Sequence, residues 1–124
     1  SLHLVKGGLF IFDAWYTPGV NYNQPSVRYK NIKYKNFEIF RIAEPSNRIN
    51  SNIVDINYTI LVKNNDNNSL KTIREKHSMR HFSDKEIKLF AENNGFDHLK
   101  SEEFLTSKFP SKETWAFCNV FRKI

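Results

Sequence analysis

The sequence predicts an α+β fold: an antiparallel sheet, a few further core strands and one main helix. Three observations predict it. Strand-like segments joined by short polar breaks occupy residues 27 to 80, one capped helical pattern follows at residue 84, and an apolar run, Leu9-Phe10-Ile11-Phe12, lies near the start. That run follows a Lys6-Gly7-Gly8 turn and ends in Asp13. Four apolar residues without polar alternation are the pattern of a strand buried on both faces. Ligands of open α/β sheets bind beyond the carboxyl ends of such strands, so Asp13 and Ala14-Trp15-Tyr16 fall where a site is expected.

The segment Thr17-Pro18-Gly19 through Ser26 reads as a loop, because Pro fixes φ while Gly and Asn tolerate positive φ. Four strands follow: Val27 to Lys33, Phe37 to Ala43, Ile53 to Lys63 and Leu70 to Met79. The third alternates Val54, Ile56, Tyr58, Ile60 and Val62 with more polar neighbours, the period of two that marks a strand with one wet face. Lys35-Asn36, Glu44-Pro45-Ser46-Asn47 and Asn64 to Asn68 read as turns. Links this short cannot cross over between parallel strands, so the segment predicts one antiparallel sheet.

The helix is expected over 84–94. Ser83-Asp84-Lys85-Glu86 is a capping box, in which the serine hydroxyl accepts from the Glu86 amide and the glutamate reaches back to the cap. Ile87, Phe90 and Ala91 share one face, and Asn94-Gly95 supplies a left-handed stop. His98 to Thr106 and Thr114 to Arg122 read as strands, with a loop at Lys108 to Ser111.

With 124 residues, 40% of them hydrophobic, the chain predicts one globular unit. A single cysteine excludes an internal disulfide framework and a multi-cysteine zinc site. No run is long enough to span a membrane and no signal-peptide pattern opens the chain, so the expectation is a cytoplasmic protein without a membrane partner. The net charge of +6 comes from basic residues scattered between strands and tail, which argues for solubility and against a nucleic-acid partner. Lysines interleaved with Tyr29 and Tyr34 read as guards of a sheet edge.

Two groups of residues could carry chemistry. Asp13 can accept from an amine or hydroxyl beside Trp15 and Tyr16, which can wall a pocket; it can equally cap a turn, with the aromatics in the core. Glu75, His77 and Arg80 form the second. Alternation puts Glu75 and His77 on one face and Arg80 on the other, so either a bulge re-aims Arg80 or it serves the helix start.

The phrase Leu4-Val5-Lys6-Gly7-Gly8-Leu9-Phe10-Ile11-Phe12-Asp13 resembles the fifth core strand of class I S-adenosylmethionine-dependent methyltransferases. Glu75-Lys76-His77-Ser78-Met79-Arg80-His81-Phe82, followed by a helix ending in Asn94-Gly95-Phe96, is similar to the same family's Glu-x-His-x-x-Arg-x-Phe segment. The resemblance implies the C-terminal part of a Rossmann-like sheet, over residues 1–20 and 81–124, with an inserted antiparallel sheet over 27–80. It implies spatial neighbours in the order 8–13, 114–122, 98–106, the middle strand antiparallel. It implies a small-molecule methyl acceptor, possibly an amino or nucleotide-linked sugar, bordered by Asp13, Trp15, Tyr16, His77 and Arg80. S-adenosylmethionine is the parent's cofactor, and its glycine-rich loop would lie upstream; none is expected on this chain, which alone would be inactive. Strand 8–13 would then have a bare edge, which predicts a homodimer. The competing reading is a non-enzymatic small-ligand binding or dimerisation module.

Overall fold

The computed structural model describes residues 3–124, which divide into two compact units. One is made of the chain up to Gln24 together with Arg80–Ile124, the other of Pro25–Met79.

The first unit opens with β1 (Leu9–Tyr16) and a short α1 (Thr17–Tyr22). The unit resumes with the last three residues of β5 (Leu70–Phe82), then α2 (Asp84–Asn93), β6 (Phe96–Glu103) and β7 (Ala116–Lys123). Gly7 sits at φ +80, the left-handed conformation that lets the chain turn into β1. β7 lies between β1 and β6 and is antiparallel to both, in the order the resemblance implies. β1 also runs parallel to the end of β5, but only through Trp15↔His81 and Tyr16↔Phe82. The sheet here is therefore mixed.

The core of this unit lies between the sheet and α2. Phe117 and Phe121 of β7 are fully buried with Ile87 of α2 and Phe96 of β6, and Phe12 stacks on Phe121 with centroids 5.9 Å apart. Each such side chain contributes about 1.5–3 kcal/mol when fully buried. The helix starts as expected, with Ser83 Oγ accepting from the Glu86 amide at 3.2 Å. The Glu86 carboxylate does not return to the cap; it pairs with Arg80. Gly95, at φ +74, ends the helix.

The second unit holds β2 (Arg28–Tyr34), β3 (Phe37–Arg48), β4 (Ile53–Asn64) and the greater part of β5, antiparallel from β2 to β4. Lys35 takes φ 52 at the β2–β3 turn, and Asn68 φ 53 at the β4–β5 tip. Val54 and Ile56 of β4 are buried, but so is Asp55 between them, so the wet face that the alternation predicts is not seen there: the carboxylate is covered by its own ion pairs.

Two expectations fail in an instructive way. Glu44-Pro45-Ser46-Asn47 is not a turn; β3 runs through it to Arg48, and the reversal is made by a 3₁₀ turn (Ile49–Ser51) with Asn52 at φ 52. Proline is admitted because β2 pairs with β3 only as far as Ala43, leaving Pro45 beside a free edge while it stays in register with Ile56. The predicted loop after β1 contains α1, since Pro18 stands at the first helical turn, where its missing N–H costs nothing.

Gly19 in α1 is tightly constrained: a β-carbon there would lie 1.8 Å from the Thr114 carbonyl oxygen. Gly19→Ala is expected to lower stability by about 3 kcal/mol or more. Gly95→Ala, at positive φ but with open space around it, should cost about 1–2 kcal/mol. Urea unfolding of the two variants checks this; equal losses would show that α1 is not packed against Thr114.

Candidate functional site

The carboxyl end of β1 gathers the richest chemistry of the first unit. Strand alternation divides its residues between two faces. Asp13 and Trp15 point to the face away from α2, and Asp13 is exposed. The Trp15 ring meets Trp115 edge-on at 4.9 Å, and the Trp115 indole N–H donates to the Asn23 carbonyl at 3.1 Å. Tyr16 N–H donates to the Trp115 carbonyl, which carries the β1–β7 ladder to the strand's last residue.

Tyr16 turns to the opposite face, where its ring packs on Phe117 at 4.7 Å. There it lines a cavity of about 360 Å³ with Asp84, Lys88, His98 and Ser101. Burial, with the Asp84 carboxylate adding to it, raises the Tyr16 hydroxyl above its usual value and keeps it a neutral phenol. Ser101 Oγ lies 2.8 Å from Asp84 Oδ1, from His98 Nε2 and from Asn119 Oδ1. The serine has one proton to give, so a neutral His98 with its proton on Nε2 is the arrangement that supplies the second donor.

His81 is 6% exposed, and its Nδ1 is 2.8 Å from the Thr17 hydroxyl, which ties the end of β5 to the start of α1. Desolvation holds His81 below the ordinary imidazole value; Glu86 works against that and Arg80 with it. The sequence analysis did not single out His81 or Trp115. Their signals were present, one inside the Arg80-His81-Phe82 run and the other at the head of an aromatic strand.

Arg80 pairs with Glu86, and its guanidinium lies 4.8 Å from the Phe82 ring and 5.6 Å from the Phe90 ring, bracing the entry to α2. His77 belongs to the second unit. Its Nε2 is 3.0 Å from the Glu75 carboxylate, and its ring meets Tyr58 edge-on at 5.2 Å. In the same unit the buried Asp55 carboxylate takes bonds from Arg48 (2.7 Å), Ser78 (2.6 Å) and Lys76 (3.2 Å), the first of which does most to hold it well below the usual range. Among the described residues, no three His, Cys, Asp or Glu side chains gather as a metal site.

A second cavity of the first unit is an open groove of about 920 Å³ between β1 and α2, lined by Leu9, Phe10, Phe12, Phe82 and Phe90 among other apolar residues. Leu9, Phe10 and Ile11 are about half exposed, so the strand whose sequence predicts burial on both faces is bare here.

No family model and no curated protein matches this sequence. Solved structures do. An S-adenosylmethionine-dependent methyltransferase from Clostridium acetobutylicum superposes on 99% of the chain with a TM-score of 0.73 at 17% identity. The chain has part of a methyltransferase fold. The same methyltransferase fold matches CalS10, an amino pentose methyltransferase from Micromonospora echinaspora solved with S-adenosylmethionine bound, over 98% of the chain (TM-score 0.67, 14% identity). It also matches the sugar N-methyltransferase KedS8 from a Streptoalloteichus species over 99% (TM-score 0.70, 14% identity). In each case the chain spans about half of the methyltransferase it matches: 47%, 47% and 45%.

Burial also lowers His98, with Lys88 adding to it. Where a folded-state imidazole lies below its unfolded value of about 6.5, the unfolded chain binds more protons, so stability rises with pH through that interval and is lost as pH falls through it. Asp84 is also held low, its burial outweighed by hydrogen bonds from Lys88 and Ser101, and its contribution is lost only on further acidification. The urea midpoint is therefore expected to fall between pH 7 and about pH 5.5, and to fall less in His81→Gln. An unchanged slope in that variant would show that His81 is not buried as a neutral imidazole.

Proposed function

We propose that this chain is the C-terminal, acceptor-side part of an S-adenosylmethionine-dependent methyltransferase that acts on a small molecule, an amino sugar in particular. The observation that carries the reading is the superposition of 98–99% of the chain, with its antiparallel β7 between β1 and β6, on solved methyltransferases, two of which are named for sugar acceptors. The exposed Asp13 carboxylate at the end of β1 is suited to accept hydrogen bonds from an acceptor's amine or hydroxyl. Trp15, backed by Trp115, offers an apolar wall against which a sugar ring can stack. Arg80 and Tyr16 belong to this proposal as supports: Arg80 braces α2 and Tyr16 fills the far side of the strand end, while His77 stands in the second unit against Glu75 and Tyr58.

The cofactor is a separate matter. When bound, S-adenosylmethionine supplies the methyl group. Seats for such groups use a glycine turn leading from a strand into a helix, whereas the Gly7-Gly8 turn leads into β1. Among the described residues no other paired glycines occur. The residues present do not fit the cofactor, and the chain alone is proposed to be inactive.

Tryptophan fluorescence reports on this directly, since Trp15 and Trp115 are the chain's two tryptophans. Titration with glucosamine should quench it, glucose should do so more weakly, and Asp13→Asn should remove the difference. Equal responses to the two sugars would overturn the acceptor assignment. Calorimetry with S-adenosylmethionine is expected to give no binding, and a micromolar dissociation constant would overturn the claim that the seat lies elsewhere.

A further inference from the structure

We propose that the cavity beneath the start of α2, on the opposite side of the sheet from Asp13 and Trp15, binds a small aromatic monocarboxylate. This goes beyond the acceptor reading and does not rest on it.

The cavity, of about 360 Å³, lies within the range of about 300–1,000 Å³ usual for small-molecule sites. Its walls are the first turns of α2, the middle of β6, the loop before β7 and Tyr16, all in the first unit. None of Leu9 to Asp13 lines it, so it does not depend on what lies beside the bare stretch of β1. A break in strand alternation builds the β6 wall. The register of β6 against β7 shifts between His98 and Lys100, and the bulge lets four consecutive residues, His98 to Ser101, border one cavity. Regular alternation would send two of them to the opposite face.

The polar lining selects the head of the ligand. Both Asp84 oxygens are engaged, one by Ser101 Oγ at 2.8 Å and the other by Lys88 Nζ at 2.6 Å, which leaves little for a cationic ligand. What remains free is donor capacity. The Tyr16 hydroxyl makes no hydrogen bond among the described residues and stays a neutral phenol. Lys88 and Lys100 each hold one carboxylate, that of Asp84 and that of Glu102, and each ammonium has further N–H groups to give. A carboxylate accepts from all three groups with charge assistance that a neutral carbonyl lacks. Because both lysines are already paired, the lining suits one added negative charge better than the two of a phosphate monoester.

The rim selects the body. Leu99, Phe109 and Pro110 are apolar, and Phe109 is 91% exposed with no ring partner among the described residues. The loop that carries it is pinned where Glu103 N–H donates to the Lys108 carbonyl at 2.7 Å. A ring exposed on a pinned loop at a cavity mouth is placed to cover an aromatic body.

Titration of the isotope-labelled full chain with phenylacetate, followed by amide chemical shifts, tests this. The Lys88, Ser101 and Phe109 amides should shift and saturate together, while the Trp15 and Trp115 indole N–H signals, on the acceptor face, stay in place. Phenylacetamide, the same ring without the charge, should bind at least about tenfold more weakly. Lys88→Met should remove that preference for the acid. Tyr16→Phe, which keeps the ring on Phe117, should weaken phenylacetate several-fold. Phe109→Ala changes only an exposed loop and should weaken acid and amide alike. Equal affinity of the wild type for acid and amide overturns the carboxylate assignment, and unchanged binding by Phe109→Ala overturns the aromatic one. Shifts confined to the tryptophan face, or none that saturate, overturn the site.

Discussion

The first unit depends on the antiparallel ladder between β1 and β7, which runs unbroken from Leu9↔Arg122 to Trp15↔Ala116. Every other feature of that unit is placed by it. β7 presents Phe117 and Phe121 to α2 and carries Asn119 between them, so the face that holds the core is set by the register of one strand. A slip by one residue would send both phenylalanines to the opposite face and empty the core beneath Ile87. The ladder also sets the site: extended through Tyr16 and Trp115, it brings Trp115 beside Trp15 from almost the other end of the chain.

Alternation along β1 has a functional consequence. Adjacent residues at the strand end serve opposite faces, and Tyr16 joins the Asp84, His98 and Ser101 cluster while Asp13 and Trp15 look the other way. The Asp84 carboxylate, the His98 imidazole and the Asn119 amide are bridged by one serine under α2, beside the Tyr16 phenol, in a polar layer of the kind that specifies how a helix docks. The chemistry open to an acceptor is then the exposed Asp13 carboxylate and the paired tryptophans. This division accounts for how one short strand end can both anchor the fold and offer a binding surface.

Local signals in the sequence were reliable wherever they coincide with local physics. The capping serine at 83, the glycine at 95 and the asparagine-rich tip all form the structures their chemistry favours. The Gly7-Gly8 phrase and the Arg80-His81-Phe82 run also pointed to the fold, because each marks a junction between elements. What could not be read locally depends on partners distant in sequence. Pro45 signals a turn unless one knows that β2 stops at Ala43. Trp115 looks like core until the ladder sets it against Trp15, and His81 gains its meaning from a threonine 64 positions away. Arg80, for which the sequence left open a re-aimed fork or service at the helix start, is held by Glu86 near the Phe82 and Phe90 rings.

The account stands on the β1–β7 ladder, and amide hydrogen exchange measures it residue by residue. Phe10, Phe12 and Ala14 of β1, with Phe117, Asn119 and Phe121 of β7, are predicted to be among the slowest-exchanging amides of the chain, while those of Asn67 and Asn68 at the β4–β5 tip exchange fast. Exchange of the β1 amides at rates like the tip, with β7 still protected, would mean that β1 is not docked on β7 and would contradict the account.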